Sequence, residues 1–215
     1  IYSCEWDEKL PTLNELREKV KKMGLWLPQI STDYGGIGLS LQEHGEISEI
    51  LGGSPYGFYV FNCQAPDAGN MEILIEVGTS QQKKDYLTPL LEGKTRSCFA
   101  MTEPGYAGSN PTRMGTIAKK ENGNYIINGH KWFTSSFDGA DFAIVMVVTD
   151  PDEANPYKRA SQIIVPTNTE GVEFVRNVSI MGHPGGGWES HAEIKFKNVI
   201  AVSYTHLTLP TSRSV

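Results

Sequence analysis

The stretch Cys98-Phe-Ala-Met-Thr-Glu-Pro-Gly-Tyr-Ala-Gly-Ser109, followed by Lys131-Trp-Phe-Thr-Ser-Ser136, decides how the chain is read. A short apolar run, Ser97–Met101, leads as a strand into a tight turn crowded with Thr102, Glu103, Pro104, Gly105, Gly108 and Ser109. Proline fixes one φ and glycine admits positive φ, so such a backbone closes readily around a flat or anionic ligand. Its N–H and hydroxyl donors suit carbonyl or phosphate oxygens. On a second strand, Trp132 and Phe133 arrive with the hydroxyls of Thr134, Ser135 and Ser136. Together the two segments offer stacking surface and hydrogen bonds to a planar, polar ring. Composition alone also admits an ordinary turn and an ordinary core.

Outward from this pair, the chain continues as strands. Thr112–Lys120 and Asn124–Asn128 flank Asn122-Gly123, the strongest short hairpin signal, and Asn128-Gly129 reads as a further turn into Lys131–Ser135. Phe142–Thr149 is a near-continuous apolar run, as expected of a strand covered on both faces. Gln162–Pro166, Val172–Val178 and His191–Lys197 follow, the last turning Ala192, Ile194 and Phe196 inward. Short strands with short turns predict a β-sandwich or barrel. The glycine-rich Met181–Ser190 run reads as a connection between strands rather than a loop over a ligand. His183 and His191 have no carboxylate or cysteine at ligand spacing, and both read as surface or loop histidines.

Before the pair, the pattern is helical. Thr12-Leu-Asn-Glu15 has the form of a capping box, with Leu13, Leu16, Val20 and Met23 at helical spacing after it. Ser40-Leu-Gln-Glu43 repeats the signature and turns Leu41, Ile47, Ile50 and Leu51 to one face. Between them, Leu27–Gly38 is a loop with no phosphate-cradle spacing. Pro66 opens a third helix that ends near Gly78. Thr79 or Ser80 caps a fourth, Gln81–Leu91, in which Pro89 predicts a kink or a displaced end. Asn62, Gln64 and Asp67 are compatible with a substrate entrance or with loop hydrogen bonding, and are not counted in the site.

The net charge of −6 comes without a basic run, which argues against nucleic acid or anionic membranes as partners. No apolar run approaches the roughly 20 residues of a membrane span, and no secretory signal opens the chain. Cys4, Cys63 and Cys98 lack metal-ligand spacing and suit reduced thiols, with Cys98 as a small core residue. The organisation expected is α+β: a helical domain over residues 1–96, a β domain over 97–201 and a non-native tail over 202–215, which resembles translated adapter sequence.

The run Thr102-Glu-Pro-Gly-Tyr-Ala-Gly-Ser109 resembles the Thr-Glu-Pro signature of the acyl-CoA dehydrogenases. Tyr125-Ile-Ile-Asn-Gly-His-Lys-Trp-Phe-Thr134 resembles that family's second flavin-contacting segment, in the same order and at similar spacing. The likeness extends from about Leu13 to about Val199. Asn62-Cys-Gln-Ala-Pro-Asp67 and Gly69-Asn-Met-Glu72 resemble the subgroup of family members ten and eleven. The resemblance implies a helical domain, then an antiparallel β-sandwich or barrel, with the family's C-terminal helical bundle and catalytic glutamate beyond this chain. It implies FAD as cofactor and α,β-desaturation of acyl-CoA thioesters, with this chain by itself inactive for want of the base. It implies flavin contacts from Phe99, Met101, Thr102, Gly108, Trp132, Phe133 and either Thr134 or Ser135, and a substrate contact from Ser109. It further implies an electron-transfer flavoprotein or similar acceptor, a dimer or tetramer, and a bacterial cytoplasmic or eukaryotic mitochondrial location. Tyr106 is one residue more than the commoner form of the signature, and Trp-Phe-Thr-Ser aligns in two registers. Glu103 is fixed by its turn, so no residue is nominated as the base and none as a metal ligand. An oxidase or monooxygenase on the same scaffold, or a non-catalytic binding module, are the alternatives. The flavin reading requires the two β segments to share one cavity wall.

Overall fold

A computed structural model of the protein describes residues 5–207. In the first of its helices, Trp6, Lys9, Leu13, Arg17 and Val20 recur every three or four residues and are all buried. That stripe begins upstream of Thr12, so helix α1 spans Trp6–Lys22 and Thr12 lies inside it instead of capping it. Asp7 and Glu8 near the start and Lys19, Lys21 and Lys22 near the end suit the helix dipole. Leu16 and Met23, expected to face inward, are exposed.

Helix α2, Leu41–Leu51, begins with the expected capping box, both of whose bonds are made by Ser40 and Glu43. Of its anticipated inward face only Leu51 is buried, and Leu41 remains 89% exposed. A short α3, Gly57–Val60, precedes α4, Asp67–Val77, which Gly78 ends as expected. Thr79 caps α5, Ser80–Gln82, through a second capping box with Gln82. The helix then widens into a π turn, Lys83–Leu87, before α6, Thr88–Leu91. Pro89 cannot donate to the carbonyl one turn back, and the kink it predicts takes this form. Thr88 Oγ1 donates at 3.1 Å to the Lys83 carbonyl, which also accepts the Thr88 amide.

The strands are β1 (Ser97–Ala100), β2 (Ile117–Glu121), β3 (Asn124–Ser135), β4 (Phe142–Val148), β5 (Ala160–Pro166), β6 (Val172–Asn177), β7 (His191–Ala201) and β8 (His206–Leu207). They form one mostly antiparallel sheet ordered β6-β7-β3-β2-β4-β5-β8, with β1 added parallel to β4. Asn122 (φ 51°) and Gly123 (φ 82°) supply the two left-handed residues of the expected hairpin. Asn128-Gly129 makes no turn, because β3 runs through it as one twelve-residue strand paired to β7. Gly129 serves close approach instead: a Cβ there would fall on the Thr116 side chain.

Strand β4 is covered on both sides, as its apolar run predicts. Ala143, Val145 and Val147 join Ile127, Ile194, Phe196 and Val199 within the curled sheet. Phe142 and Ile144 face Leu27, Met71, Leu74, Leu87 and Leu90 of the helical part. Cys98 lies in the first of these cores and its thiol is pushed well above the ordinary range by burial, consistent with a packing role. Residues 202–207, the described part of the segment set apart as a tail, form a 3-10 turn and β8, whose Leu207 packs between helices and sheet. Residues 208–215 lie outside the described range.

Gly129→Ala is expected to destabilise the fold by about 1–3 kcal/mol, the usual cost of overpacking. Urea unfolding followed by tryptophan fluorescence checks this, and an unchanged midpoint would refute the assigned role of Gly129.

Candidate functional site

Two buried charges hold the Thr-Glu-Pro turn to β3. Lys131 Nζ lies 2.8 Å from Glu103 Oε1, with the ammonium fully buried and the carboxylate nearly so. Glu103 also accepts from the Gly115 amide at 2.6 Å and the Thr116 amide at 2.9 Å. Lys131 donates in addition to the Met101 carbonyl at 2.7 Å. Burial by itself would raise the Glu103 carboxyl, but hydrogen bonds from Lys131 and Gly115 outweigh it and hold the group below the ordinary carboxylate value of 4.5. A second link runs alongside: Thr102 Oγ1 donates to the Trp132 carbonyl at 2.6 Å, and Trp132 N–H donates to the Thr102 carbonyl at 3.0 Å. The turn and the strand are thus joined at adjacent residues, although Thr102 and Thr134 share no cavity.

Beyond Lys131, strand β3 is irregular. Its pairing with β7 matches Lys131 to Ile194 and then Thr134 to Ala192, so an extra residue bulges from β3 between them. Phe133 takes φ 49° in this bulge. Lys131 and Thr134 point into the sheet core, whereas Phe133 and Ser135 face outward onto a cavity of roughly 600 Å³. Phe99 of β1, Ser136, Trp188, Glu189 and His191 complete that wall, and Pro55, Ala65 and Pro66 of the helical part face it. Ser135 Oγ lies 2.8 Å from His191 Nδ1, and Ser136 Oγ donates to the Trp188 carbonyl at 2.7 Å.

The Met181–Ser190 run is a connection between β6 and β7, as read, yet it also lines this cavity. Trp188 Nε1 donates to the Ala65 carbonyl at 3.2 Å, and Glu189 is held by Lys9 at 2.8 Å and Tyr56 at 3.2 Å. A Cβ on Gly187 (φ 55°) would enter the Trp6 ring, so only glycine fits there. His191 departs from its reading as a surface or loop histidine: it opens β7, is partly buried, and burial lowers its pKa below 6.5. His183 is an exposed loop residue as expected.

The structure therefore brings Phe99, Phe133 and Ser135 together on one cavity. Of the two hydroxyls left open by register, Ser135 lines it; Thr134 is buried, and its hydroxyl has no hydrogen-bond partner among the described residues. Met101, Thr102 and Gly108 line a separate crevice of only about 10 Å³. Trp132 packs against Phe133 with ring centroids 4.8 Å apart. Ser109 is exposed on the turn and borders neither space. Asn62, Gln64 and Asp67 are buried and bonded within the fold, Asp67 accepting from the Ser97 amide at 2.7 Å and from Gln64 at 2.7 Å, so they form no entrance. Ser136 was read as one of the hydroxyls on this strand but not counted among the flavin contacts, and Trp188, Glu189 and His191 escaped sequence reasoning; the clustered glycines of 185–187 were their only local signal. Among the described residues no cluster of His, Cys, Asp or Glu could hold a metal ion, and no helix is long and apolar enough to cross a membrane.

A cavity of this size, with two aromatic faces and hydroxyls at its edge, fits a planar ring with polar rims. Comparison with known proteins points the same way. Residues 2–94 match the acyl-CoA dehydrogenase N-terminal domain and residues 98–199 the acyl-CoA dehydrogenase middle domain. Acyl-CoA dehydrogenase family member 10 of Mus musculus is 43% identical over 199 residues, which cover 88% of this chain and 18% of that protein. A Mycobacterium abscessus protein assigned to the acyl-CoA dehydrogenases superposes with a TM-score of 0.86 at 37% identity, covering 92% of this chain and 48% of its own. A glutaryl-CoA dehydrogenase of Mycobacterium smegmatis, solved in complex with FADH2, superposes with a TM-score of 0.72 at 25% identity over 91% of this chain and 47% of its own. The chain thus spans about half the length of these solved relatives and less of the curated one.

Lys131→Met keeps the aliphatic stem but leaves Glu103 buried without its cation, an expected loss of about 3–5 kcal/mol in urea unfolding. The depressed carboxyl carries a sign of its own. Its contribution is fully present above 4.5, the ordinary value, and is lost as pH falls from there through the lower folded value. Stability of the parent protein should therefore decline on that acid limb, and the decline should shrink in Lys131→Met; equal limbs would refute the ion pair.

Proposed function

The chain belongs to the acyl-CoA dehydrogenase family, and on that premise we propose that its β segment forms one wall of a site where FAD meets an acyl-CoA thioester. The observation that carries the reading is the convergence of Phe99, Phe133 and Ser135 on one cavity, from the two segments that resemble the family's flavin contacts. The glutaryl-CoA dehydrogenase solved with FADH2 supports the choice of cofactor.

Bound FAD supplies the acceptor for a hydride leaving the β-carbon of the acyl chain. The residues of this chain orient and shield. Phe133 presents a ring face at the cavity and Phe99 a second aromatic surface, both excluding water from the reacting region. Ser135 offers one hydroxyl to the flavin edge. Thr102 spends its hydrogen on the Trp132 carbonyl, so toward a ligand its oxygen accepts. The contacts of Thr102, Met101, Gly108 and Trp132 with the flavin rest on the resemblance of their segments, since the first three line only a small crevice and Trp132 packs on Phe133. Ser109, free on the exposed turn, is the acyl-CoA contact. Glu103 is committed to Lys131 and two amides, and Glu189 to Lys9 and Tyr56, so neither acts as the α-proton base. Electrons then leave to an electron-transfer flavoprotein or a similar acceptor, and the working assembly is a homo-oligomer.

Joined to the remainder of the family's length, which would supply the base, the protein should carry flavin absorbance that bleaches anaerobically on adding acyl-CoA; a colourless protein that ignores added FAD would sink the reading. Rapid reoxidation by oxygen alone would favour the oxidase alternative. Ser135→Ala should weaken flavin retention by on the order of 1 kcal/mol, about fivefold in dissociation constant. Thr134→Val, which replaces an unpartnered buried hydroxyl, should leave flavin content unchanged and raise the unfolding midpoint. The reverse pattern would move the flavin contact to Thr134.

A further inference from the structure

His191 is the one imidazole that lines the cavity, and nothing in the reading above uses it. The last pair of the β3–β7 ladder sets Ser135 opposite His191. Residues paired across an antiparallel ladder present their side chains on the same face. Both side chains therefore reach the cavity together, with Oγ and Nδ1 2.8 Å apart. The ring is partly buried, which disfavours its charged form, so near neutral pH it holds one proton on one of two nitrogens.

A serine hydroxyl has a single hydrogen, and this one is shared with a histidine nitrogen that either donates or accepts. If Nδ1 carries the proton, it donates to Oγ, and the Ser135 hydrogen is free to point into the cavity. If Nδ1 is bare, Ser135 donates to it and presents only lone pairs to the cavity. The neighbouring carboxylates do not decide between these states, since Glu189 is bound to Lys9 and Tyr56 and Glu193 to His130 and Arg176.

We propose that His191 is a positioning residue whose tautomer sets whether Ser135 donates to or accepts from the flavin, switching as the flavin passes between oxidised and reduced forms. The inference rests on the flavin reading above. An oxidised flavin presents a bare N5, which needs a donor; a reduced flavin presents N5–H, which needs an acceptor. When a hydride has made that N–H bond, the Ser135 hydrogen swings to Nδ1. One proton leaves Nδ1 for solvent and another arrives from solvent at Nε2. The pair keeps its charge and its proton count.

The test uses the purified protein labelled with ¹⁵N-histidine. Ring nitrogen shifts of His191 are recorded without flavin, with oxidised FAD, and after reduction by dithionite. Nδ1 should be protonated with oxidised FAD and bare after reduction, and Ser135→Ala should abolish the change. The same tautomer in both redox states would overturn the proposal, and so would a tautomer change that survives Ser135→Ala. The wild-type spectra decide the matter without any variant having to fold. Failure of FAD to bind would overturn the site reading itself, whereas binding with an unresponsive ring would overturn the role of His191 alone.

Discussion

The buried Glu103–Lys131 pair is the constraint on which the site depends. Burying a carboxylate and an ammonium together adds little net stability over a well-packed apolar pair, because desolvation cancels much of the attraction. What this pair contributes is location. Glu103 gathers the Gly115 and Thr116 amides ahead of β2, and Lys131 gathers the Met101 carbonyl at the end of β1. Three separated pieces of chain are thereby fixed around one strand. A lysine elsewhere on β3, or a glutamate elsewhere in the turn, would leave a bare charge inside the sheet and be selected against by energy alone.

The helical part is fastened to the sheet by the same kind of chemistry. Asp67 receives the amide and hydroxyl of Ser97, and Asn70 donates to Ser97 Oγ and the Cys98 carbonyl, so α4 sets where β1 starts and hence where Phe99 stands. On the far side, Trp6, Tyr59 and Trp188 stack edge and face, and Trp188 reaches the Ala65 carbonyl. The cavity is the gap left between these two seams. Its helical wall is held by polar groups with little freedom to move, since each is buried and already bonded.

Much of this was legible in residue order. The Asn122-Gly123 hairpin, the doubly covered Phe142–Val148 strand and the Ser40 capping box rest on local physics and came out as read. Thr12 failed as a cap because tertiary burial of Trp6 and Lys9 extends the helix upstream, and no short window of sequence contains Glu189, the partner that makes burying Lys9 feasible. Asn128-Gly129 failed as a turn because the glycine answers a neighbour, Thr116, rather than a bend. The wall from Trp188 to His191 was hidden for a similar reason: its residues are brought in by strand pairing at long separation, which leaves no spacing to recognise.

The bulge at Phe133 shows why the site could not be built on a regular strand. Side chains alternate faces with period two, so on a perfect strand Lys131, Phe133 and Ser135 would all point the same way. Either the lysine would leave the core and abandon Glu103, or the serine would enter it and abandon the cavity. One left-handed residue, at a cost of roughly 1–2 kcal/mol, shifts the parity by a single step. Lys131 then stays inside, beside Ile194, while Ser135 emerges beside His191. The same step turns Phe133 outward toward the cavity that Phe99 reaches from β1. A strained φ at an aromatic residue is thus the local expression of two demands, an internal anchor and an external site, placed four residues apart on one strand.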